Sequence, residues 1–389
     1  MKIQDVAAKY ADYQVEMRRK FHMNPEVSGK EYETSKTVKE ELDKIGVEWR
    51  DCGLETGVLA TIKGGKPGKT ILLRADMDAL TVEEQTGLPY ASKNKGVMHA
   101  CGHDCHTSML LTAAHILSDM KEELCGTVKL AFQPAEEIAQ GAKSMIEQGA
   151  MDGVDACFGI HVWADVPAGK VSVEAGPKMG AAGQYRIDVT GKGGHGAAPH
   201  QCIDAAVVSA AIVNNLQTIV SREISPMEPA VVTVGVIDAG TRWNVVAEKG
   251  RIEGTTRCFS DEIYDAFPGL LDRVAKETAK AFRAEAGVTE YIELVPPTIN
   301  NPEMSALAEA AARKVIGEDA PITSPATMGG EDFAYYMRKA PGAIALLGIG
   351  NEACGAVWPQ HSGNFCVDES VLIKGAMLYC QVAMDFNAK

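Results

Sequence analysis

No run of about 18 apolar residues occurs in this 389-residue chain, so nothing in it reads as a membrane-spanning helix. The opening stretch, MKIQDVAAKYADYQ, carries charges where an export signal needs an apolar run, and a cytoplasmic protein is expected. Positive charge is in deficit: 38 Lys and Arg stand against 52 Asp and Glu, a net charge of −14. Such a surface repels phosphate backbones and anionic lipid, which argues against nucleic acid or a membrane as partner. The ten cysteines lack the paired spacing of a disulfide framework and read as reduced thiols, so a special cysteine needs a chemical reason. What is present is an ordinary globular composition, 46% apolar and 23% charged, long enough for two domains at ~150 residues each.

The first part of the chain alternates helical and buried-strand patterns. Helices are expected from about Ile3 to His22 and Ser35 to Ile45, then at Thr107–Lys121 and Ala139–Gln148. Between them lie strands at Gly57–Lys63, Thr70–Ala75, Thr127–Gln133 and Asp155–His161, which implies a helix-flanked, mostly parallel α/β sheet. Near Gly180 the texture changes to β-α-β-β-α-β: strand Gln184–Gly191, helix Ile203–Arg222, strands Ala230–Ala239 and Lys249–Phe259, helix Glu262–Ala286, strand Thr289–Val295. Beyond Pro296-Pro297 the first texture returns, closing with a helix over Glu369–Phe386. The expectation is a discontinuous catalytic domain, residues 1–180 and 296–389, interrupted by a ferredoxin-like α+β lid or dimerisation domain, residues 181–295.

Three strands of the first texture run into groups that bind metal or move protons: Asp76 and Asp78, Glu136 and Glu137, and His161. Ligands of open α/β sheets bind beyond the carboxyl ends of the strands, so these groups are expected to converge. Between the first two lies His99-Ala100-Cys101-Gly102-His103-Asp104-Cys105-His106, donor side chains crowded into one loop before a helix. Taken singly, each has a bland reading: a solvated acidic helix start, a core histidine, a small buried thiol. Together they point to a metal site, because buried carboxylates and imidazoles cost several kcal/mol each unless paired or metal-bound.

Six motifs in order, Met98–Asp104, Phe132–Glu137, His161–Trp163, Gly191–His195, Gly329–Ala334 and His361-Ser362, resemble the M20 metallopeptidase family, in its aminoacylase, hippurate hydrolase and auxin-conjugate hydrolase branch. The resemblance implies that Cys101, His103, Glu137, His161 and His361 bind two divalent metal ions, Mn, Zn, Ni or Co. It further implies that Glu136 is the general base, that Asp78 orients a metal ligand, and that Asp76 replaces a histidine ligand of other branches. His195 is implied as a donor to the developing oxyanion, often in the partner subunit's site. Asn244 and Arg257 are further candidates for substrate contact, Arg257 because a guanidinium suits a carboxylate, with a structural role as the alternative for both. The strand Ala230–Val236, if at a sheet edge, would pair with its symmetry mate in a homodimer.

The activity implied is cleavage of the amide bond of an N-acyl amino acid, with an aryl or short acyl group, or of a dipeptide. Met179, Met328, Phe333 and Trp163 are candidates for an apolar acyl pocket, though such residues commonly fill cores. Two other readings compete: a thiol hydrolase with Cys101 as nucleophile, and a non-catalytic binder of acyl amino acids, for which an unligated Glu136 has no use. His22, His99, His106, His115 and His200 are assigned to structure or to hydrogen bonding behind the ligands.

Overall fold

The computed structural model describes residues 2–387. Its chain forms two units. The first comprises residues up to Gly176, Ile299–Pro325 and from Asp332 onwards; the second comprises Pro177–Thr298 and Ala326–Glu331.

The first unit is built on a seven-stranded sheet in the order Glu48–Asp51, Val58–Lys63, Cys125–Gln133, Lys66–Asp76, Ala156–Pro167, Gly342–Gly350, Val171–Ser172. The four strands from Cys125–Gln133 to Gly342–Gly350 are parallel, and the flanking ones antiparallel. Runs such as Ile71-Leu72-Leu73, fully buried on both faces, explain why the central strands show no alternation. Helices Ala11–Met23, His103–Asp119, Pro302–Val315 and Leu372–Asn387 supply Phe21, Leu110, Ala311 and Leu378 to one large core. The expected first helix is broken: Ile3–Ala7 is followed by a tighter turn, Ala8–Tyr10, before Ala11–Met23. The strand expected to stop at His161 continues to Pro167, because Val162, Trp163 and Pro167 pair with Leu347, Gly348 and Gly350.

The second unit holds a four-stranded antiparallel sheet in the order Ala230–Ala239, Lys249–Cys258, Ala181–Thr190, Glu285–Val295. Helices Ala205–Thr218 and Asp261–Ala281 cover one face, joining Ile212, Leu216, Phe267 and Leu271 to Tyr185, Ile187 and Ile252. The second helix stops at Ala281, five residues short of the expected Ala286, because Glu285 onwards pairs with Thr190 and its neighbours. Strand Ala230–Ala239 is an edge strand, with Val231, Val236 and Ile237 exposed. Among the described residues no helix is long and apolar enough to cross a membrane.

Candidate metal centre

Parallel register gathers the chemistry. Asp76 stands opposite Gln133 on one neighbouring strand, and Arg74 opposite Gly159 on the other, so that His161 falls level with Asp76. Asp78 follows two residues later, and Glu136 and Glu137 follow Gln133 in the turn that leaves the sheet. The fourth contribution comes from the start of helix His103–Asp119. Its preceding residue, Gly102, has φ +88°, and a Cβ there would lie 2.3 Å from Val162 Cγ2. Only glycine lets the chain turn against the neighbouring strand and point Cys101 and His103 the same way.

The donor atoms of Cys101, His103 and His161 lie within 4.8 Å of one another, as do those of Cys101, Glu137 and His361, and of His103, Glu136 and Glu137. Cys101 Sγ is 3.5 Å from His161 Nε2. Glu137 Oε1 is 3.9 Å from His103 Nε2 and 3.6 Å from His361 Nε2. His361 has φ +67°, a strained value for a residue with a side chain, and its N–H donates to Ala100 O at 2.8 Å, tying its loop to that of Cys101.

Ring orientation is set from behind. Asp78 accepts four hydrogen bonds: from His103 Nδ1 at 3.2 Å, Ser28 Oγ at 2.6 Å, and the N–H groups of Glu136 and Glu137 at 3.1 Å each. His161 Nδ1 donates to Val162 O at 2.7 Å. Both rings therefore turn Nε2 inward. His103 Nε2 and Glu137 Oε1 are buried with no hydrogen-bond partner and face each other across the cluster, so the carboxylate oxygen lacks a positive partner. A cation between them resolves this, and thiolate, imidazole and carboxylate are the donors that suit a divalent transition ion.

The electrostatics agree. Burial, with the nearby Glu137 charge, pushes the Cys101 thiol well above its usual range, so it ionises only if a cation faces it. Burial, with His106 beside it, keeps His161 well below the ordinary imidazole range, hence neutral and free to ligate. Burial opposes a proton on His103, yet Asp76 and Asp78 outweigh it and hold its pKa well up: the site calls for positive charge at that ring.

The profile of peptidase family M20/M25/M40 matches residues 72–385. The chain belongs to this family. It is 41% identical over 393 aligned positions to thermostable carboxypeptidase 1 of Saccharolobus solfataricus, covering 100% of this chain and 99% of that one. It is 40% identical to N-acetyl-L-cysteine deacetylase of Bacillus subtilis, covering 92% and 85%. Among solved structures, the YXEP protein of Bacillus subtilis, described as a dinuclear metal binding peptidase of the M20 family, superposes with a TM-score of 0.85 at 35% identity, covering 97% and 98%. As a member of a peptidase family this protein is a hydrolase.

Three further candidates of this M20 hydrolase, His195, Asn244 and Arg257, lie in its second unit. His195 is exposed on a two-stranded ribbon, Gly194–His195 against Val245–Val246, and the N–H of Gly196 donates to Asn244 O at 3.0 Å. The fold thus brings His195 and Asn244 together. Arg257 is apart from them, at the Ala182 and Val231 end of its strand, whereas the ribbon adjoins the Lys249 end; at ~3.3 Å per residue the separation is roughly 20 Å or more. Its guanidinium is held by Thr255 Oγ1 and by Thr256 O at 2.8 Å. In the first unit Phe333 is fully buried beside Tyr336 and belongs to the core, and Trp163 stands edge-on to His161 at 5.4 Å.

Two networks stand behind these side chains; the sequence reading assigns His22 and His106 to such hydrogen bonding but does not name their partners. His106, three residues after His103, donates Nδ1–H to Asp76, which is also bonded to Arg74 at 2.6 Å, and accepts Val162 N–H on Nε2 at 2.8 Å. Both its nitrogens are spent, so it braces the strand that carries His161. A second buried network, Arg18 to Asp104 at 2.8 Å and His22 to Asp104 at 2.8 Å, anchors the first turn of helix His103–Asp119 from behind.

Proposed function

We propose that this chain is a dinuclear metal-dependent amidohydrolase that cleaves N-acyl amino acids to a carboxylic acid and a free amino acid. The observation that carries it is the pair of donor triads sharing Cys101, with the unpartnered His103 Nε2 and Glu137 Oε1 turned toward each other. Cys101, His103 and His161 would hold one ion; Cys101, Glu137 and His361 the other. When bound, such ions acidify an attacking water and polarise the scissile carbonyl. Glu136 accepts that water's proton and delivers it to the leaving nitrogen. Its Oε1 receives the Asp332 N–H at 3.3 Å, which steadies the carboxylate. Asp78 fixes the tautomer of His103 and the peptides of both glutamates. The shared thiolate favours Zn, Ni and Co, and the Glu137 carboxylate also suits Mn, so these four ions form the trial set.

The first unit is assigned the catalytic role and the second the role of an inserted lid and dimerisation domain. His195 is assigned as oxyanion donor and Asn244 and Arg257 as substrate contacts. Because Arg257 sits at the opposite end of its sheet from His195 and Asn244, one small substrate cannot touch all three from one chain. We therefore assign His195 and Asn244 to the substrate of a second copy, the copies pairing through edge strand Ala230–Ala239. All ten cysteines are free thiols, which fits a reducing cytoplasm. Dipeptides are the second substrate class, favoured by the carboxypeptidase relative.

A Cys101 nucleophile is disfavoured, since burial holds both the thiol and its partner His161 in their neutral forms. The deciding experiment is turnover of an N-acyl amino acid and dipeptide panel with each metal added to chelator-treated protein. Glu136→Gln retains metal and loses turnover. Chelator-insensitive activity that thiol alkylation abolishes would overturn the reading.

A further inference from the structure

Glu31 is fully buried and used by none of the chemistry above. It precedes helix Tyr32–Ile45, in a segment clipped to the Asp78 loop by Ala79 N–H to Glu26 O at 2.8 Å. Its Oε2 accepts the Thr56 hydroxyl at 2.6 Å; its Oε1 accepts Gly29 N–H at 2.7 Å and Ala135 N–H at 3.0 Å. Ala135 has φ +54°, left-handed backbone that costs a residue with a Cβ about 1 kcal/mol or more. It is the residue before Glu136. Three successive N–H groups, those of Ala135, Glu136 and Glu137, are thus gripped by two buried carboxylates, Glu31 and Asp78.

We infer that Glu31 is a positioning residue for the proposed general base: by accepting the Ala135 N–H it holds the left-handed turn that aims Glu136. This rests on the assignment of Glu136 as base. Asp78 alone does not fix the turn, because its two bonds lie beyond Ala135 and leave that residue's φ free to relax to the ordinary negative region. The carbonyl of Ala135 accepts Gln140 and Gly141 N–H at 3.2 Å each, so a relaxed Ala135 would also swing the segment that follows.

The test compares side chains of one size. Glu31→Met fills the space and accepts nothing; Glu31→Gln keeps an oxygen for Gly29 and Ala135 and turns its amide to the Thr56 hydroxyl. With metal-replete protein and an N-acyl amino acid substrate, Glu31→Met lowers kcat by about 10- to 100-fold, as small misplacements of a catalytic group do, with KM and metal stoichiometry unchanged. Glu31→Gln stays within a few-fold of the parent. Adding Ala135→Gly to Glu31→Met recovers part of the loss, since glycine holds φ +54° unaided. General damage to the fold would not be repaired by that glycine. If Glu31→Met does not fold, Glu31→Asp, one methylene short of Ala135, is read the same way.

Wild-type kcat in the folded variant overturns the inference, as does a loss traced wholly to missing metal or one that Ala135→Gly leaves untouched. Glu136→Gln, run alongside, separates the failures: if it turns over normally the base assignment is wrong whatever Glu31 does, and if it is dead while Glu31→Met is active, only the positioning role falls.

Discussion

Asp78→Asn is the sharpest single perturbation of the metal centre, because it preserves shape and removes one acceptor. The carboxylate takes four donors on two oxygens, His103 Nδ1 and Glu136 N–H on Oδ1, Ser28 Oγ and Glu137 N–H on Oδ2. An asparagine keeps the first pair by placing its oxygen there. Its NH2 then meets the Ser28 hydroxyl, which can rotate to accept, and the Glu137 N–H, which cannot. One buried donor is orphaned, at about 1–3 kcal/mol of stability. The bond to His103 loses its charge, so the ring that must present Nε2 to a cation is held less firmly and is less basic. Removing such a partner lowers metal affinity by about 10–100-fold, or about 1.4–2.7 kcal/mol. Competition against a chromophoric chelator measures the affinity; turnover at saturating metal measures what is left once the ions are restored. The expected result is weakened binding with substantial recovery of kcat at high metal. Wild-type affinity in the folded variant would refute the claim that Asp78 orients the site, and a complete loss of kcat at full occupancy would show a more direct part in the reaction.

Gly102→Ala places a methyl 2.3 Å from Val162 Cγ2 in a left-handed position, so protein that folds is expected to bind fewer than two equivalents of metal by elemental analysis; full loading would sink this account of the loop. Arg18→Met strips the buried Asp104 of its main partner and is expected to cost about 3–5 kcal/mol in urea unfolding, partly regained by adding Asp104→Asn; additive losses would deny the coupling. His99, pushed by burial from 6.5 down to about 4, is neutral in the native state where the unfolded chain binds a proton. Stability therefore declines as pH falls from 6.5 toward 4, by up to about 3 kcal/mol from this group, and His99→Leu is expected to flatten that limb in metal-free protein. An unchanged slope would rule His99 out as its source.

The parallel sheet was legible because its strands are buried on both faces: Ile71–Leu73 and Ala156–Ile160 are runs with no helical period, bounded by turn residues and polar chemistry. Edges were harder. The four-residue strand Glu48–Asp51 is mostly exposed and pairs on one side only, so neither hydrophobicity nor alternation marks it. The extension of the His161 strand to Pro167 depends on partners nearly two hundred residues away, which local pattern cannot report. In the second unit the end of the long helix was misread because its sequence keeps a helical texture past Ala281, and pairing with Thr190 decides the matter.

The site shows the same division between what composition marks and what only partners decide. His103 and His106 share one helix turn, both are fully buried, and both approach Asp76, so spacing gives them equal claims as ligands. Their second nitrogens separate them. His103 bonds Asp78 through Nδ1 and has no hydrogen-bond partner at Nε2, which leaves that nitrogen to the cavity; His106 meets Asp76 on one side and the Val162 N–H on the other, leaving none. A ligand histidine is thus defined by an unfilled valence after the protein's own bonds are made, a property of the folded neighbourhood rather than of residue type. The same reasoning separates Glu137, whose buried Oε1 has no donor, from Glu136, whose Oε1 takes a backbone N–H. Adjacent in sequence and identical in chemistry, the two carboxylates differ in what the backbone has already answered, and the proposed division into ligand and base rests on that difference.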